Sequence, residues 1–339
     1  MFSVALGLAQ QDAQGSVLAV YYPQPILAPS TGVLAGLRAA ALDAAGVHRL
    51  SPLDLQRLRQ GWLEAGETAQ AALAGTLQKA QGPVLLTCLG EDGPIAETAE
   101  AYLKLHLLSH RLSLPNSLNL DGIFQALPTV AWTSEGALAL EELEERQLNA
   151  RLLGRTLKVF AVDKFPTMTD FVVPSGVRIG DGSRIRLGAY LGEGTTVMHE
   201  GFINFNAGTL ASGMIEGRIS QGVVVGKGSD LGGSASTAGT LSGGGTTRIS
   251  LGESCLISAN AGTGIPLGDR CTIEAGLYIT PGTRVTLRDE AGTVVRVCKA
   301  RELAGGSDML FIRHSETGAV ECRSNRQAIA LNPMLHQGA

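Results

Sequence analysis

Charged residues make up 17% of this 339-residue chain and aromatic residues 4%, both low for a globular protein. The charge that is present nearly balances, with 27 basic against 31 acidic residues and no Lys/Arg cluster. That excludes the basic footprint a nucleic-acid backbone requires. No stretch approaches the roughly 18 apolar residues of a membrane span, so no membrane partner is expected. The opening MFSVALGLAQQDAQG lacks a positively charged leader and reads as a first strand rather than a signal peptide. Cysteine is scarce: Cys88, Cys255, Cys271, Cys298 and Cys322 are odd in number and scattered. A disulfide framework is thereby disfavoured, and reduced thiols in a cytoplasmic protein are expected. Glycine is what the chain has in plenty: 26 of its 44 glycines fall between residues 176 and 295.

The same region carries a six-residue beat. Ile179, Ile185, Leu191, Val197 and Ile203 stand six apart, and the beat resumes at Ile219, Val225, Leu231, Thr237, Gly243, Ile249, Cys255, Ala261, Leu267, Ile273, Ile279 and Val285. Fifteen of these 17 positions are apolar in a chain that is 44% hydrophobic, against about 7 by chance. A helix repeats every 3.6 residues and an ordinary strand every 2, so neither accounts for six. A β-solenoid of hexapeptides does, with three hexads to a triangular coil and each beat residue pointing to the axis. Narrow solenoids need aliphatic interiors, tight corners and few helical surfaces, which explains the missing charge and aromatics.

Residues 1–112 are expected to form an α/β domain, with strands at FSVALGLA, VLAVYY and VLLTCLG and helices over Leu55–Lys79 and Ala99–Leu112. Residues 113–176 form a transition segment with a helix over Glu135–Arg155, residues 177–290 the β-helix, and residues 291–339 a small cap. The offset from Ile203 to Ile219 is 16, not a multiple of six, so the coil is expected to be interrupted between Asn204 and Arg218. The second block keeps phase across the Ser/Gly stretch Gly232–Gly245, which is expected to stay in the coil or loop out in multiples of six. Gly180, Gly192, Gly226, Gly232, Gly262 and Gly268 follow beat residues and mark corners where φ > 0 is called for.

The break carries HEGFINFNAGTLASGMIEGR, His199–Arg218. Insertions in a solenoid can project function. Within it Glu216 is either a carboxylate at a subunit cleft or half of a surface salt bridge. His199 is the one histidine of the coil region; a neutral imidazole there can take a proton from an attacking amine, or be a surface or subunit-contact residue. His106 and His110 have the i,i+4 spacing of metal ligands but no third ligand, and read as a helix surface. SGGGT, Ser242–Thr246, lacks the GxxxxGK[ST] form and a following helix, so it is not a phosphate loop. Cys255 on the beat reads as a buried small hydrophobe. Cys271, off the beat, reads as exposed, with no base beside it.

Several runs closely resemble the tetrahydrodipicolinate N-succinyltransferase family. They are VDKFPTMTDFVVPSGVRI (Val162–Ile179), RLGAYLGEGTTVMHEGFINFNAGT (Arg186–Thr209), MIEGR (Met214–Arg218), GKGSDLGG (Gly226–Gly233), GTLSGGG (Gly239–Gly245) and IEAGLYITPGT (Ile273–Thr283). AYLKLHLLSHRL and GAVECRSN extend the likeness to both flanks, in the longer-chain form found in actinobacteria and pseudomonads. The resemblance implies a left-handed parallel β-helix, a homotrimer with active sites between neighbours, and a lysine/diaminopimelate biosynthetic step. In that step a succinyl group passes from succinyl-CoA to the amine of 2-amino-6-oxopimelate, the ring-opened hydrate of tetrahydrodipicolinate. The glutamate of MIEGR, here Glu216, is implied as catalytic. An acyl-anhydride role and a general-base role both stand open for it.

The implied coenzyme site maps to Arg218, Gly233, Ser236, Ala259, Glu274, Ala275, Gly282, Lys299 and the segment Ile312, Arg313, His314 and Ser315. Small residues suit a backbone-lined channel for a pantetheine arm, and the cations suit carboxylate or phosphate. Two departures stand out. Relatives hold Mg2+ on the trimer axis with an aspartate and the glutamate of HEG. Glu200 is present, but Ser183 occupies the aspartate's place and Asp181 is out of register, which weakens the case for magnesium. The segment IRHS replaces the common RRNS, which removes one arginine contact to CoA. The alternative is another hexapeptide acyl-CoA N-acyltransferase, acting on a sugar nucleotide or amino acid. A zinc carbonic anhydrase on this fold needs three histidines, and an ice-binding solenoid needs a threonine array; neither pattern is present.

Overall fold

The computed structural model describes residues 1–239 and 248–325. Two units are distinguished. The first comprises Met1–Ser113, Ser117–Pro166 and Asp170–Val172; the second comprises Leu114–Asn116, Thr167–Thr169 and the chain from Val173.

In the first unit, strand Ser3–Gln11 lies between Val17–Tyr21 and Val84–Leu89, and Gly46–Leu50 extends the sheet, all antiparallel. Helices Thr31–Ala39, Pro52–Glu64 and Thr68–Leu77 contribute Leu37, Leu58, Trp62 and Ala74 to a core with Leu6 and Leu86 of the sheet. The single helix expected over Leu55–Lys79 is therefore two helices. Gly66 at φ +80° breaks them apart, a backbone state costly to any residue but glycine. The helix expected over Glu135–Arg155 likewise begins later, at Leu140, after a hairpin pairing Val130–Thr133 with Gly136–Leu138.

Helix Thr98–Ser109 is buried on all sides, which corrects the surface assignment of its histidine. His106 Nδ1 donates to Tyr102 O at 2.7 Å, and its Nε2 accepts from Tyr22 N at 3.2 Å. Burial pushes the imidazole down from 6.5 to about 3. An unfolded chain protonates this histidine near pH 6.5 and the folded chain only near 3, so the unfolded state binds more protons in that window. The stabilisation is complete above pH 6.5 and is lost on acidification, at about 1.4 kcal/mol per pH unit at full slope. We expect the gap in urea midpoint between the wild type and His106→Gln to narrow from pH 7 to pH 5. A constant gap would contradict this account.

The second unit is a parallel β-coil with three faces. The first face stacks Arg178–Ile179, Thr195–Val197, Gly213–Ile215, Asp230–Leu231, Leu256–Ile257 and Thr272–Ile273. The second stacks Phe202–Ile203, Arg218–Ile219, Ser236–Thr237, Gly262–Thr263 and Tyr278–Ile279. The third stacks Tyr190–Leu191, Gly208–Thr209, Val224–Val225 and Ser250–Leu251. Strand Met309–Arg313 pairs parallel with Thr272–Ile273 and begins a closing sheet with Val320–Ser324, Arg284–Arg288 and Val294–Lys299. Ladder residues face the axis: Val197, Ile215, Leu231, Ile257, Ile273 and Phe311 form one buried column. Four threonines also point inward, and their hydroxyls are satisfied within the coil. Thr195 Oγ1 meets Thr209 Oγ1 at 2.6 Å, Thr237 donates to Arg218 O at 3.1 Å, and Thr263 donates to Ile265 O at 2.7 Å.

The coil is not interrupted between Asn204 and Arg218, contrary to the sequence expectation. Thr209 and Ile215 carry the beat through, and the missing residues are taken from one hexad: Ile215 to Ile219 is four residues, yet Ile219 pairs with Ile203 on the second face. A second short hexad runs from Thr263 to Leu267, closed by Ile265 N donating to Thr263 Oγ1 at 3.1 Å. Val225 pairs with Leu251 at an offset of 26 where Leu191 pairs with Thr209 at 18, a surplus of eight rather than a multiple of six. Ile249, Cys255 and Ala261 are thus not the ladder residues; Leu251, Ile257 and Thr263 are. Gly243 and the SGGGT run lie outside the described residues. Cys271 is fully buried, two residues before Ile273, not exposed as expected. The glycines that follow beat residues do not take positive φ. A Cβ on Gly192 would lie 2.4 Å from Ala211 N, and one on Gly226 2.5 Å from Gly252 O, so close approach of successive coils selects glycine there. Positive φ falls three residues after the beat, as at Gly194 and Asn206.

Candidate active site

The edge where the first face turns into the second gathers most of the candidate residues. Successive coils place Glu200, Glu216, Gly233, Ala259 and then Glu274 with Ala275 along it. Glu216 sits in the contracted hexad, directly after strand Gly213–Ile215, where Glu216 N donates to Leu231 O at 2.8 Å. The turn needs Gly217, because a Cβ there would lie 2.4 Å from Ala235 O. The carboxylates of Glu216 and Glu200 converge: each has an oxygen 3.6 Å from the point a Gly233 Cβ would occupy. A methyl at Gly233 would make ordinary van der Waals contact with both.

A cleft of about 590 Å³ opens beside them, lined by Arg184, His199, Glu200, Phe202, Arg218 and Ser236 among others. Arg218 is fixed by Ser236, its ladder partner, with Nη2 to Oγ at 2.8 Å and Nε to Oγ at 3.2 Å. Arg184 donates to the carbonyls of Gly201 and Glu200 at 3.2 and 3.0 Å. Two guanidiniums, the Glu200 carboxylate and one imidazole therefore line an open site, with the Glu216 carboxylate beside Glu200 at Gly233. Such a site can hold anionic groups and move a proton.

Further along, Arg313 N donates to Glu274 Oε2 at 2.7 Å, and the segment Ile312–Ser315 follows Phe311 at the end of the first-face stack. Thr317 N donates to His314 Nδ1 at 3.3 Å. Gly282 and Lys299 are not on this edge. They lie beyond Tyr278–Ile279, where Arg284 pairs with Lys299 and Ala300 N donates to Thr283 O at 2.8 Å. Sequence reasoning missed Arg184, Phe202 and Tyr278. Phe202 and Tyr278 share the outward column of the second face with Arg218, Ser236 and Gly262, and Tyr278 folds so that a Cβ on Gly262 would meet its ring at 2.3 Å. The column stands one residue before each axis-facing ladder residue of the second face.

Of the positions implied for magnesium, Glu200 lines the cleft and Ser183 brings no carboxylate. Asp181 accepts from Ser183 Oγ at 2.6 Å and from Ser183 N at 2.9 Å, and these bonds hold its carboxyl below the ordinary range. Among the described residues no group of three or more His, Cys, Asp or Glu side chains can hold a metal ion. Nor is any described helix long and apolar enough to cross a membrane.

Three parallel faces built on six-residue steps, with an ionisable cleft at one edge, define the class of hexapeptide-repeat transferases. Residues 248–281 match the hexapeptide repeat of succinyl-transferase, and residues 127–167 match the tetrahydrodipicolinate N-succinyltransferase middle region. A 2,3,4,5-tetrahydropyridine-2,6-dicarboxylate N-succinyltransferase of Pseudomonas aeruginosa is 58% identical over 337 residues, covering 99% of this chain and 98% of the relative. Its counterpart in Vibrio cholerae is 52% identical over 338 residues, with the same coverage. A solved Campylobacter jejuni structure, a 2,3,4,5-tetrahydropyridine-2-carboxylate N-succinyltransferase, superposes with a TM-score of 0.88 at 31% identity, covering 96% of this chain and 93% of that one. The chain belongs to the tetrahydrodipicolinate N-succinyltransferase family.

Proposed function

We propose that this chain transfers the succinyl group of succinyl-CoA to the amine of L-2-amino-6-oxopimelate, the ring-opened hydrate of tetrahydrodipicolinate. The observation that carries the reading is the convergence of Glu216 and Glu200 on Gly233 beside a cleft walled by Arg184 and Arg218. An ammonium cannot attack a thioester, so the acceptor must first lose a proton. Glu216 takes it. The nitrogen then forms its bond to the succinyl carbonyl carbon and sheds its second proton to solvent, the carbon–sulfur bond breaks, and the proton held by Glu216 passes to the departing CoA thiolate. Arg184 and Arg218 meet the carboxylates of donor and acceptor, with Ser236 holding Arg218 in place.

The pantetheine arm runs along the edge past Gly233, Ala259 and Ala275, whose small size keeps the path open, towards Glu274 and Ile312–Ser315. Gly282 and Lys299 serve the far end of the coenzyme. A left-handed coil, a homotrimer with clefts completed by neighbours and a cytoplasmic location belong to the same reading, and the family likeness supports them. The test is release of CoA thiol on mixing purified protein, succinyl-CoA and tetrahydrodipicolinate. Acceptor-dependent release is expected, with acetyl-CoA slower by about tenfold or more, because an arginine left without its carboxylate forfeits a charged hydrogen bond. No release from folded protein would sink the reading.

A further inference from the structure

The first unit contains a cavity that the acyl-transfer reading does not use. It has a volume of about 610 Å³ and is lined chiefly by Leu8, Tyr21, Trp132, Phe160, Phe171 and Asp170. In a chain only 4% aromatic, four rings line this cavity. Phe171 lies 6.5 Å from Tyr21 and 6.2 Å from Trp132, at interplanar angles of 55° and 84°. Two of the rings are poorly covered, Phe160 at 68% and Tyr21 at 39% exposed, while Phe171 is half-buried and Trp132 keeps only 8% exposed at the groove floor. Strand Val159–Asp163, which carries Phe160, pairs on one side only, with Val130–Thr133. Apolar surface of this kind in water marks a site for something to bind.

Asp170 sets the charge of that occupant. No ion pair or side-chain hydrogen bond to its carboxylate is found among the described residues, and partial burial raises its carboxyl above the ordinary range. The lining contains no lysine, arginine or histidine. Gln10 Oε1 is occupied by Ala137 N at 2.9 Å, which leaves its amide nitrogen as one neutral donor. An anion would find only neutral donors, such as that amide and the Ser134 hydroxyl, and a repelling carboxylate. A cation gains twice, from the carboxylate and from the electron-rich ring faces. The volume fits a small molecule.

We propose that this groove binds a small organic cation, a primary ammonium on a short apolar stem, with Asp170 pairing the charge and Tyr21, Trp132 and Phe171 surrounding it. The inference is independent of the succinyl-transfer reading and stands or falls separately. The test titrates the full-length protein with n-pentylammonium and with 1-pentanol, a neutral molecule of the same shape. Binding is read by calorimetry and by tryptophan fluorescence. Trp132 lines the groove while Trp62, the other tryptophan, is enclosed in the core, so a ligand-dependent change reports on the groove.

Saturable binding is expected, with the ammonium favoured over the alcohol by roughly tenfold. Asp170→Asn should abolish that preference while still binding both weakly; Asp170 is at the rim, so the variant should fold. Phe160→Ala should weaken both ligands. Equal affinities in the wild type, an intact preference in Asp170→Asn, or no saturable response to either molecule would each overturn the proposal.

Discussion

Glu216→Gln is expected to lower kcat by about 10²–10⁴-fold, the range for removing a general base. Glutamine preserves the shape of the turn and can still donate and accept hydrogen bonds, but it cannot take a proton from an ammonium. Backbone geometry should survive, because Glu216 N donates to Leu231 O and the turn itself depends on Gly217. The melting temperature should therefore stay close to that of the wild type while CoA release collapses. Glu200 remains beside the altered residue, and its inability to substitute would show that position, not charge alone, matters. A glutamine variant within about fivefold of wild-type kcat would remove Glu216 from the mechanism. Incubation with succinyl-CoA and no acceptor separates the two roles open for the residue. An anhydride would release one CoA per site before any amine arrives, whereas a base releases none.

The six-residue beat was readable because the coil interior admits little but aliphatic side chains at every sixth position. What the beat concealed was a compensation. Eight surplus residues before Leu251 and two hexads shortened to four residues shift the ladder, and the second shortening, between Thr263 and Leu267, restores the apparent phase. Ile249, Cys255 and Ala261 passed as ladder residues because the position two before each true ladder residue is also buried. The contraction at Ile215–Ile219 looked like a break for the same reason: periodicity counts residues, while backbone pairing counts coils. Glu216 was found through its motif, and the structure gives a physical setting for that motif at the shortened corner. Arg184, Phe202 and Tyr278 escaped because outward positions carry no compositional rule; any residue that suits the solvent or a ligand is allowed there. His106 escaped because a helix buried on every side shows no amphipathic stripe.

Gly208→Ala is expected to cost about 3–5 kcal/mol of stability. Gly208 opens its third-face strand at φ +151°, and a Cβ there would lie 1.8 Å from Tyr190 O, the carbonyl of its own ladder partner. Neither neighbour can yield cheaply. Tyr190 N donates to Ala207 O at 2.9 Å, and Gly208 N donates to Val223 O at 3.0 Å, so a shift that relieves the overlap breaks bonds to the coils on both sides. Backbone strain of this kind costs about 1–3 kcal/mol and overpacking about as much again. At roughly 2–4 °C per kcal/mol, the melting temperature of the coil should fall by on the order of 10 °C. Gly282→Ala, read for stability alone, is the matched control: nothing lies within 4 Å of its Cβ position and its φ is not positive. That variant should change stability by no more than about 0.5 kcal/mol. If Gly208→Ala melts as its control does, the contact between successive coils is looser than the geometry requires, and glycine at this position is a matter of tolerance rather than necessity.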